Sequence, residues 1–249
     1  MMINDHGKFH IEEPFTHITA HAKTGKTSLA VSLTIDALIF CRQKVLYFSP
    51  GKEKANDIRY RMIAAWREWP LADVEGILEN PRDTRHQRGL DSLLASFQLP
   101  IIIRDEANIS FEQFRKWCLW HAHYDKIDLI IVDDFHLIKE GEKIEHLHEL
   151  QRIATMLHIP CIVFTPLPRS TNDNLRNLAR LNVRLSTCTN LSMWLARPIY
   201  EINAQLEITK AIGRGVNQDD VSLSFNPRSS HFEDVENIGM HLHFTLAGM

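Results

Sequence analysis

Eight residues near the start of the chain combine glycine, lysine and a hydroxyl side chain at a spacing that suits phosphate binding. They read AHAKTGKT and end in Gly25, Lys26 and Thr27. In the pattern G-x-x-x-x-G-K-[ST], backbone N–H groups surround a β-phosphate, the lysine reaches the β and γ oxygens, and the hydroxyl holds Mg²⁺. The alternative is a chance GKT in a loop. The predicted cofactors are ATP and Mg²⁺, bound by Ala20, His21, Ala22, Lys23, Thr24, Gly25, Lys26 and Thr27.

An acid at the end of an apolar run is the second candidate group. The run Leu129 to Val132 reads LIIV, and Asp133 and Asp134 follow it directly. A buried strand that delivers a carboxylate at its carboxyl end suits Mg²⁺ coordination, at the edge where open α/β sheets bind ligands. We therefore predict Asp133, with Thr27, as the Mg²⁺-binding pair and take Asp134 as the second choice. Alone, this pattern is common; with an upstream phosphate loop it is much more specific.

The elements that must position these groups alternate between strand and helix. This alternation predicts an α/β fold with a mostly parallel sheet covered by helices on both faces. After Ser192 the pattern changes to short strands joined by turns, which predicts an antiparallel C-terminal extension. We expect irregular structure over 71–88, an N-terminal arm over 1–14, one domain over 15–238 and a tail over 239–249. The predicted strands are Phe15–Ala20, Lys44–Ser49, Pro100–Arg104, Asp128–Val132, Cys161–Phe164, Met193–Ala196, Tyr200–Ile208 and Val221–Phe225, and the predicted helices are Ser28–Cys41, Ala55–Trp69, one starting at Ser110, and Glu142–Leu157.

Composition narrows the class of protein. The chain has 249 residues, a formal net charge of −3 and a pI near 6.5. That balance gives no overall attraction to nucleic acid or anionic membrane, so such binding requires a local basic patch. The four cysteines are far apart, and no apolar run approaches the roughly 18 residues of a membrane span. We expect a soluble cytoplasmic protein with reduced thiols.

Five segments, in order, resemble the ATPase domain of the DnaB-type replicative helicases. The phosphate loop is similar to that family's A-R-x-x-x-G-K-T, so Ala20 agrees with the family. The resemblance implies a RecA-like P-loop NTPase core that binds ATP and Mg²⁺, assembles into a hexameric ring and acts on single-stranded DNA in replication. The other similar segments are Pro100–Ser110 (P-I-x-I-x-D and a helix), Val132–Leu137 (I-D-Y-L-Q-L), Leu206–Lys210 (I-x-x-A-K) and Val221–Asp234 (V-x-L-x-F-x-P…R-F-x-D).

Departures from the family pattern fall on groups that the resemblance makes catalytic. The family's S-L-E-M, whose Glu activates water, reads Ser49-Pro-Gly-Lys52 here, and Glu53 is the nearest carboxylate. His136 stands at the Gln that contacts the γ-phosphate and retains a hydrogen-bond donor. The resemblance thus leaves Glu53 and His136 as candidate catalytic groups, with slow or absent hydrolysis as an open alternative.

The family's K-x-R, which reaches a neighbouring subunit's nucleotide, is also altered. Lys210 is present, but the Arg position is Ile212, and Arg214 is the nearest arginine. Loss of an arginine finger costs about 10³- to 10⁵-fold in rate. The resemblance implies that Lys210 and Arg214 act in trans. The helical domain that precedes the ATPase core in such helicases has no counterpart ahead of this loop.

A basic segment follows the last parallel strand. Arg176, Arg180 and Arg184 are four apart, so on a helix they share one face suited to successive phosphates. In the resembling family this region holds single-stranded DNA, and the family's S-Q-L-x-R retains its arginine here as Arg169. A solvated helix face and a protein interface are the alternatives. The nucleic-acid candidates are Arg169, Arg176, Arg180 and Arg184, in a segment that also includes Arg197.

Histidines and tryptophans offer two further interpretations. Histidine pairs at i, i+2 diverge on a helix, so a metal site built from them is disfavoured. Tryptophans at apolar helix positions are expected in core or interface packing. These residues are His121/His123, His146/His148, His241/His243, Trp66, Trp69, Trp117 and Trp120.

Two function hypotheses remain. The first is an ATP-hydrolysing, DnaB-like motor domain in a ring on single-stranded DNA. The second is a nucleotide-binding relative that has lost turnover and acts as a loader, scaffold or regulator of another complex, with a protein partner. The altered Glu, Gln and Arg positions favour the second, and the intact phosphate loop opposes complete loss of nucleotide binding.

Overall fold

Strand β3, Phe15–Ala20, lies inside a nine-stranded sheet and leads the chain into the phosphate loop. The remaining strands are β1 Met2–Ile3, β2 Phe9–His10, β4 Val45–Phe48, β5 Ile101–Arg104, β6 Leu129–Val132, β7 Cys161–Pro166, β8 Leu191–Ala196, β9 Asn203–Ala211, β10 Val221–Asn226 and β11 His231–Asp234. The helices are α1 Lys26–Ile35, α2 Ala55–Arg67, α3 Leu71–Glu79, α4 Phe111–Trp120 and α5 Lys143–Leu157. The computed structural model describes residues 2–3, 9–10, 14–51, 53–79, 98–139, 141, 143–167, 190–197, 201–211 and 221–234.

The strand order is β11-β10-β9-β8-β3-β7-β6-β4-β5. From β8 to β5 all neighbours are parallel, whereas β9, β10 and β11 join in antiparallel fashion. This arrangement confirms the predicted parallel sheet with an antiparallel extension. It also brings the carboxyl ends of β3 and β6 to the same edge, with only β7 between them.

Helices cover both faces of the sheet. Along β6, Leu129 and Ile131 pack into the hydrophobic cluster that includes α1 and α2, while Ile130 and Val132 pack into the cluster that includes α4 and α5. A strand buried on both sides needs apolar residues at every position, which explains the uninterrupted LIIV sequence. The core therefore fixes β6, and with it the position of Asp133.

Helix boundaries follow local chemistry. Ser110 caps α4, since its side chain accepts a hydrogen bond from the backbone N–H of Gln113 at 3.2 Å, as its capping-box spacing predicted. Helix α1 continues as a π-helix over Asp36–Phe40, and α4 does so over His121–Asp125.

Two expectations about secondary structure were wrong. The stretch from residue 71, expected to be irregular, begins with α3, because Val74 has an apolar contact surface to cover against α2. Strand β11 was not predicted; its Phe232 is buried against α1 and the sheet core. Within 1–14, β1 pairs with β2 in antiparallel fashion. The tail 239–249 lies outside the described residues, and among the described helices none is long and apolar enough to cross a membrane.

Candidate nucleotide-binding site

The phosphate loop leaves β3 at Ala20 and enters α1 at Lys26. Lys23 and Gly25 adopt positive φ angles of 67° and 107°. Thr24, between them, closes a turn, because its backbone N–H and its hydroxyl both point to the carbonyl oxygen of His21, at 3.4 and 2.8 Å. Left-handed residues alternating with others turn successive N–H groups toward one concave side, which is an anion-binding geometry. The N-terminus of α1 adds its own N–H groups to that site.

Gly25 is required at its position for two reasons. Its φ of 107° is strained for any residue with a side chain, and a Cβ there would lie 2.8 Å from Cε2 of Phe232. Phe232 in turn packs against Phe225, with ring centroids 4.9 Å apart. The antiparallel extension therefore packs directly on the phosphate loop.

The structure brings the two predicted Mg²⁺ residues into contact. The Thr27 hydroxyl donates to Oδ2 of Asp133 at 2.7 Å, although the residues are 106 positions apart. The Tyr47 hydroxyl, at the end of β4, donates to the same oxygen at 3.4 Å. Tyr47 had no motif to mark it; only the strand pairing places it here.

The carboxyl group of Asp133 lies in an unfavourable environment for a bare negative charge. Burial raises its pKa to about 7, the Asp134 and Glu53 carboxylates add to the rise, and the hydrogen bond from Thr27 and the charge of Lys26 oppose it. Among the described residues no group donates to its other oxygen, Oδ1, which is buried. A buried carboxylate oxygen without a donor, beside a hydroxyl and a lysine, fits the oxygen ligands that Mg²⁺ prefers.

Other predicted groups lie around this centre. Lys26 sits at the first position of α1, with its ammonium 3.5 Å from the carbonyl oxygen of His21. Asp134 adopts φ 53° and is followed by a 3-10 turn that carries His136, whose Nδ1 lies 3.9 Å from Asp134 Oδ1. The His136 side chain is 41% exposed, and burial of the remainder lowers its pKa. Solvent access leaves His136 free to meet a ligand.

Glu53 lies near the centre but is held by an ion pair. Its two carboxylate oxygens accept from Nε and Nη2 of Arg61 in α2, at 2.8 and 2.9 Å. The third guanidinium nitrogen of Arg61 donates to the Ser230 hydroxyl at 3.0 Å, and Ser230 contacts the Ser28 hydroxyl at 2.9 Å. Arg61 thus connects Glu53 to the start of α1 and to the β10–β11 turn.

Arg197 corrects the description of the basic segment. Its guanidinium donates to the carbonyl oxygens of Thr24 and Lys23, at 2.9 and 3.0 Å, so it is part of the phosphate loop's surroundings rather than a free DNA-facing cation. Sequence reasoning missed this role because the partners are more than 170 positions apart.

Several predicted residues cannot be placed. Lys210 lies in β9, whose backbone alone is described there. Arg214 and the nucleic-acid candidates Arg169, Arg176, Arg180 and Arg184 lie outside the described residues. Their roles stay predictions.

The histidines show no metal site in the described part of the chain, where no three His, Cys, Asp or Glu residues converge. His121 instead bridges Asp125 and Arg104, and His146 stacks on Phe111. His241 and His243 lie outside the described residues. Trp66, Trp69 and Trp117 pack against the hydrophobic clusters, whereas Trp120 is 55% exposed and stacks on Tyr124.

Comparison with known proteins assigns the family. The family model for the DnaB-like helicase C terminal domain matches residues 10–234. The chain belongs to this family. No curated protein matches the sequence. This DnaB-like chain is similar in structure to a solved ATPase domain, with a TM-score of 0.70, 16% identity, and coverage of 89% of this chain and 84% of that one.

Two further solved structures share the fold. A DnaB-like replicative helicase, described with its interactions with primase, has a TM-score of 0.71 and 18% identity; the match covers 88% of this chain but only 56% of that one. The KaiC-like protein PH0186 from Pyrococcus horikoshii OT3 has a TM-score of 0.58 and 16% identity, with 88% of each chain covered. These likenesses confirm the RecA-like fold.

Proposed function

We propose that this chain binds Mg²⁺ and ATP at Ala20–Thr27 and serves as the motor domain of a ring-forming helicase on single-stranded DNA. The observation that carries the proposal is the 2.7 Å contact between Thr27 and Asp133 at the mouth of the phosphate loop. A hydroxyl at the helix start and a carboxylate at the end of a buried strand are the two protein groups that such a magnesium site needs. Membership of the DnaB-like family supports the motor role.

Each residue has a defined task in this proposal. The N–H groups of residues 23 to 27 bind phosphate oxygens, and Lys26 leaves the carbonyl oxygen of His21 to neutralise the β and γ oxygens. Thr27 and Asp133 hold Mg²⁺, whose charge offsets that of the phosphates when it is bound. Deprotonation of Asp133 accompanies metal binding, because a cation lowers the pKa that burial raises. His136 reaches the terminal phosphate from its exposed position.

The ring and DNA parts of the proposal depend on the family. Lys210 and Arg214 approach a neighbouring subunit's nucleotide, and Arg169, Arg176, Arg180 and Arg184 contact the DNA backbone. Phosphate contacts of this kind carry little sequence information, so binding is expected to be non-specific and salt-dependent.

A second candidate function has one observation in its favour. Both oxygens of Glu53, the nearest carboxylate to the expected general base, are bound by Arg61. A carboxylate held this way accepts a proton from water poorly, because ionisation is already stabilised by the guanidinium. Glu53 must leave this pair to act as a base; otherwise the chain binds nucleotide without turnover and regulates an assembly with a protein partner.

An ATPase assay with and without single-stranded DNA separates the two candidates. We expect DNA-stimulated turnover that Lys26→Ala abolishes and that Glu53→Gln lowers by about 10²-fold, the usual contribution of a general base. Glu106→Gln is the matched control, because Glu106 also pairs with an arginine, Arg104, at 3.1 Å. Nucleotide binding without turnover in the wild-type protein would leave the regulator as the function, and absence of nucleotide binding would exclude both.

DNA contact has its own test. Replacing Arg176, Arg180 and Arg184 together by Ala is expected to weaken binding of single-stranded DNA and to flatten its salt dependence by about 0.7 per lost phosphate contact. Fluorescence anisotropy with a labelled oligonucleotide at several salt concentrations measures both. An unchanged affinity and slope would remove this segment from the DNA interface.

A further inference from the structure

Arg197 holds the outer side of the phosphate loop through directed hydrogen bonds. It follows β8 directly, and Nε donates to the carbonyl oxygen of Thr24 at 2.9 Å, while Nη2 donates to that of Lys23 at 3.0 Å. Its remaining nitrogen, Nη1, donates to the carbonyl oxygen of Glu201 at 2.9 Å. Three backbone carbonyls therefore fix the plane of one guanidinium, and two of them belong to successive peptides of the loop.

Fixing a carbonyl also fixes the N–H on the other side of the same peptide. The peptide unit is planar and trans, so its C=O and N–H point in opposite directions. The carbonyl of Lys23 shares a peptide with the N–H of Thr24, and the carbonyl of Thr24 shares one with the N–H of Gly25. Because Arg197 draws both oxygens outward, the N–H groups of Thr24 and Gly25 point to the inner side, where a phosphate binds.

Arg197 is itself held in place by the antiparallel extension. Its guanidinium carbon lies 4.2 Å from the ring centroid of Phe225 in β10, a cation–π distance. Phe225 packs on Phe232, the side chain that contacts Gly25 from the other direction. The loop is therefore braced from β8, β10 and β11, and its shape depends on strands that lie far along the chain.

We propose that Arg197 is a positioning residue that preorganises the phosphate loop for the polyphosphate part of its ligand by holding the carbonyls of Lys23 and Thr24. The proposal rests on the proposed nucleotide function of the same loop. Arg197 does not need to touch the ligand for this role. It predicts that loss of Arg197 affects any polyphosphate, whereas an arginine that contacted the base would affect only ligands that carry one.

The variants are chosen to separate the hydrogen bonds from packing. Arg197→Met keeps a long apolar side chain on Phe225 and removes all donors, and Arg197→Lys keeps the charge but cannot bond both carbonyls in one plane. Arg67→Met is the matched control, because Arg67 also lies over an aromatic ring, Trp66, at 4.4 Å and is not among the donors to the loop. Thermal unfolding of each variant verifies that the fold is retained.

Hydrogen exchange in the nucleotide-free protein tests the geometry without any ligand. We expect faster exchange in the peptide that covers residues 20–27 for Arg197→Met, a smaller increase for Arg197→Lys, and no change for Arg67→Met. Unchanged exchange across 20–27 in Arg197→Met would overturn the inference, whatever the protein binds.

Binding of magnesium-ATP and of inorganic tripolyphosphate then tests the consequence. Loss of two charge-assisted hydrogen bonds to the loop is expected to weaken both ligands by about tenfold to a hundredfold in Arg197→Met. A loss for ATP with unchanged tripolyphosphate affinity would refute the positioning role in favour of direct contact with the nucleoside. If wild-type protein binds neither ligand, the proposed function fails, and the exchange result alone then decides for or against the positioning of the loop by Arg197.

Discussion

At the scale of single residues, the site is built from acids that stabilise one another poorly. Asp133, Asp134 and Glu53 lie close enough for the latter two to raise the pKa of the first. Two cations offset this cluster, Lys26 from the loop and Arg61 through its ion pair with Glu53. An excess of carboxylates in a buried place is unfavourable for the empty protein and favourable once a divalent cation binds. This balance is what the Mg²⁺ assignment explains.

His17 provides a residue-scale prediction about pH. It is buried in β3, its Nε2 lies 2.8 Å from the Thr165 hydroxyl, and burial lowers its pKa to about 4. A histidine with a depressed folded-state pKa stabilises the protein above its unfolded pKa of about 6.5, and this contribution is lost as pH falls toward 4. From pH 7.5 to 5 we expect His17 to remove about 2 kcal/mol of unfolding free energy.

Urea unfolding of the wild type and of His17→Gln at several pH values measures this effect. Glutamine keeps a hydrogen-bonding end group and does not titrate, so its unfolding free energy is expected to fall less between pH 7.5 and 5. The comparison of the two proteins cancels the titration of all other groups. Parallel pH profiles would show that His17 is not the responsible group.

At the scale of elements, the phosphate loop depends on a glycine and on strands remote in sequence. Gly25→Ala is expected to strain the backbone at φ 107° and to displace Phe232, which costs about 1–3 kcal/mol of stability and disturbs the N–H groups that face the phosphate. We therefore expect nucleotide affinity to fall together with stability, as calorimetry and urea unfolding would show.

A second glycine serves as the control for this substitution. Gly76 lies in α3, where a Cβ added to it would have no other atom within 4 Å, so Gly76→Ala is expected to stabilise the protein by about 0.4–1 kcal/mol and to leave nucleotide affinity unchanged. If Gly25→Ala behaved in the same way as Gly76→Ala, the close packing of β11 on the loop would be wrong.

Elements with strong periodicity could be predicted from the sequence. The bounds of β3 agree, and β6 differs by one residue, because buried parallel strands are continuous apolar runs with sharp ends. Helix α3 was missed because its apolar residues are few and its charged residues many, so that packing on α2 decides its conformation. Strand β11, a four-residue strand, was missed because pairing with β10 defines it.

The candidate site divides in the same way. Lys26, Thr27 and Asp133 carry a motif that reflects chemistry within a few residues of sequence. Arg197 and Arg61 carry none, because each acts through a partner that only the folded sheet brings near. Groups that bind the ligand were therefore predictable, and groups that position them were not.

At the scale of the whole molecule, the strand order explains why one edge collects all the chemistry. The parallel strands end at one edge, so the loop after β3, Tyr47 at the end of β4 and Asp133 after β6 meet there. The antiparallel strands β9 to β11 extend the sheet beyond β8 and reach back to α1 through the hydrogen bond from Phe232 N–H to the Ser32 hydroxyl at 3.0 Å. The molecule thus couples its C-terminal half to the loop in its N-terminal half.

The central claim is that this edge binds a nucleotide with Mg²⁺. Calorimetric titration of the wild type and Lys26→Ala with a non-hydrolysable ATP analogue and Mg²⁺ tests it most directly, with Lys116→Ala as a control on an exposed helix. We expect saturable, Mg²⁺-dependent binding by the wild type and Lys116→Ala, and affinity at least about tenfold weaker for Lys26→Ala. Absence of binding by the wild type, or equal affinity in Lys26→Ala, would contradict the account.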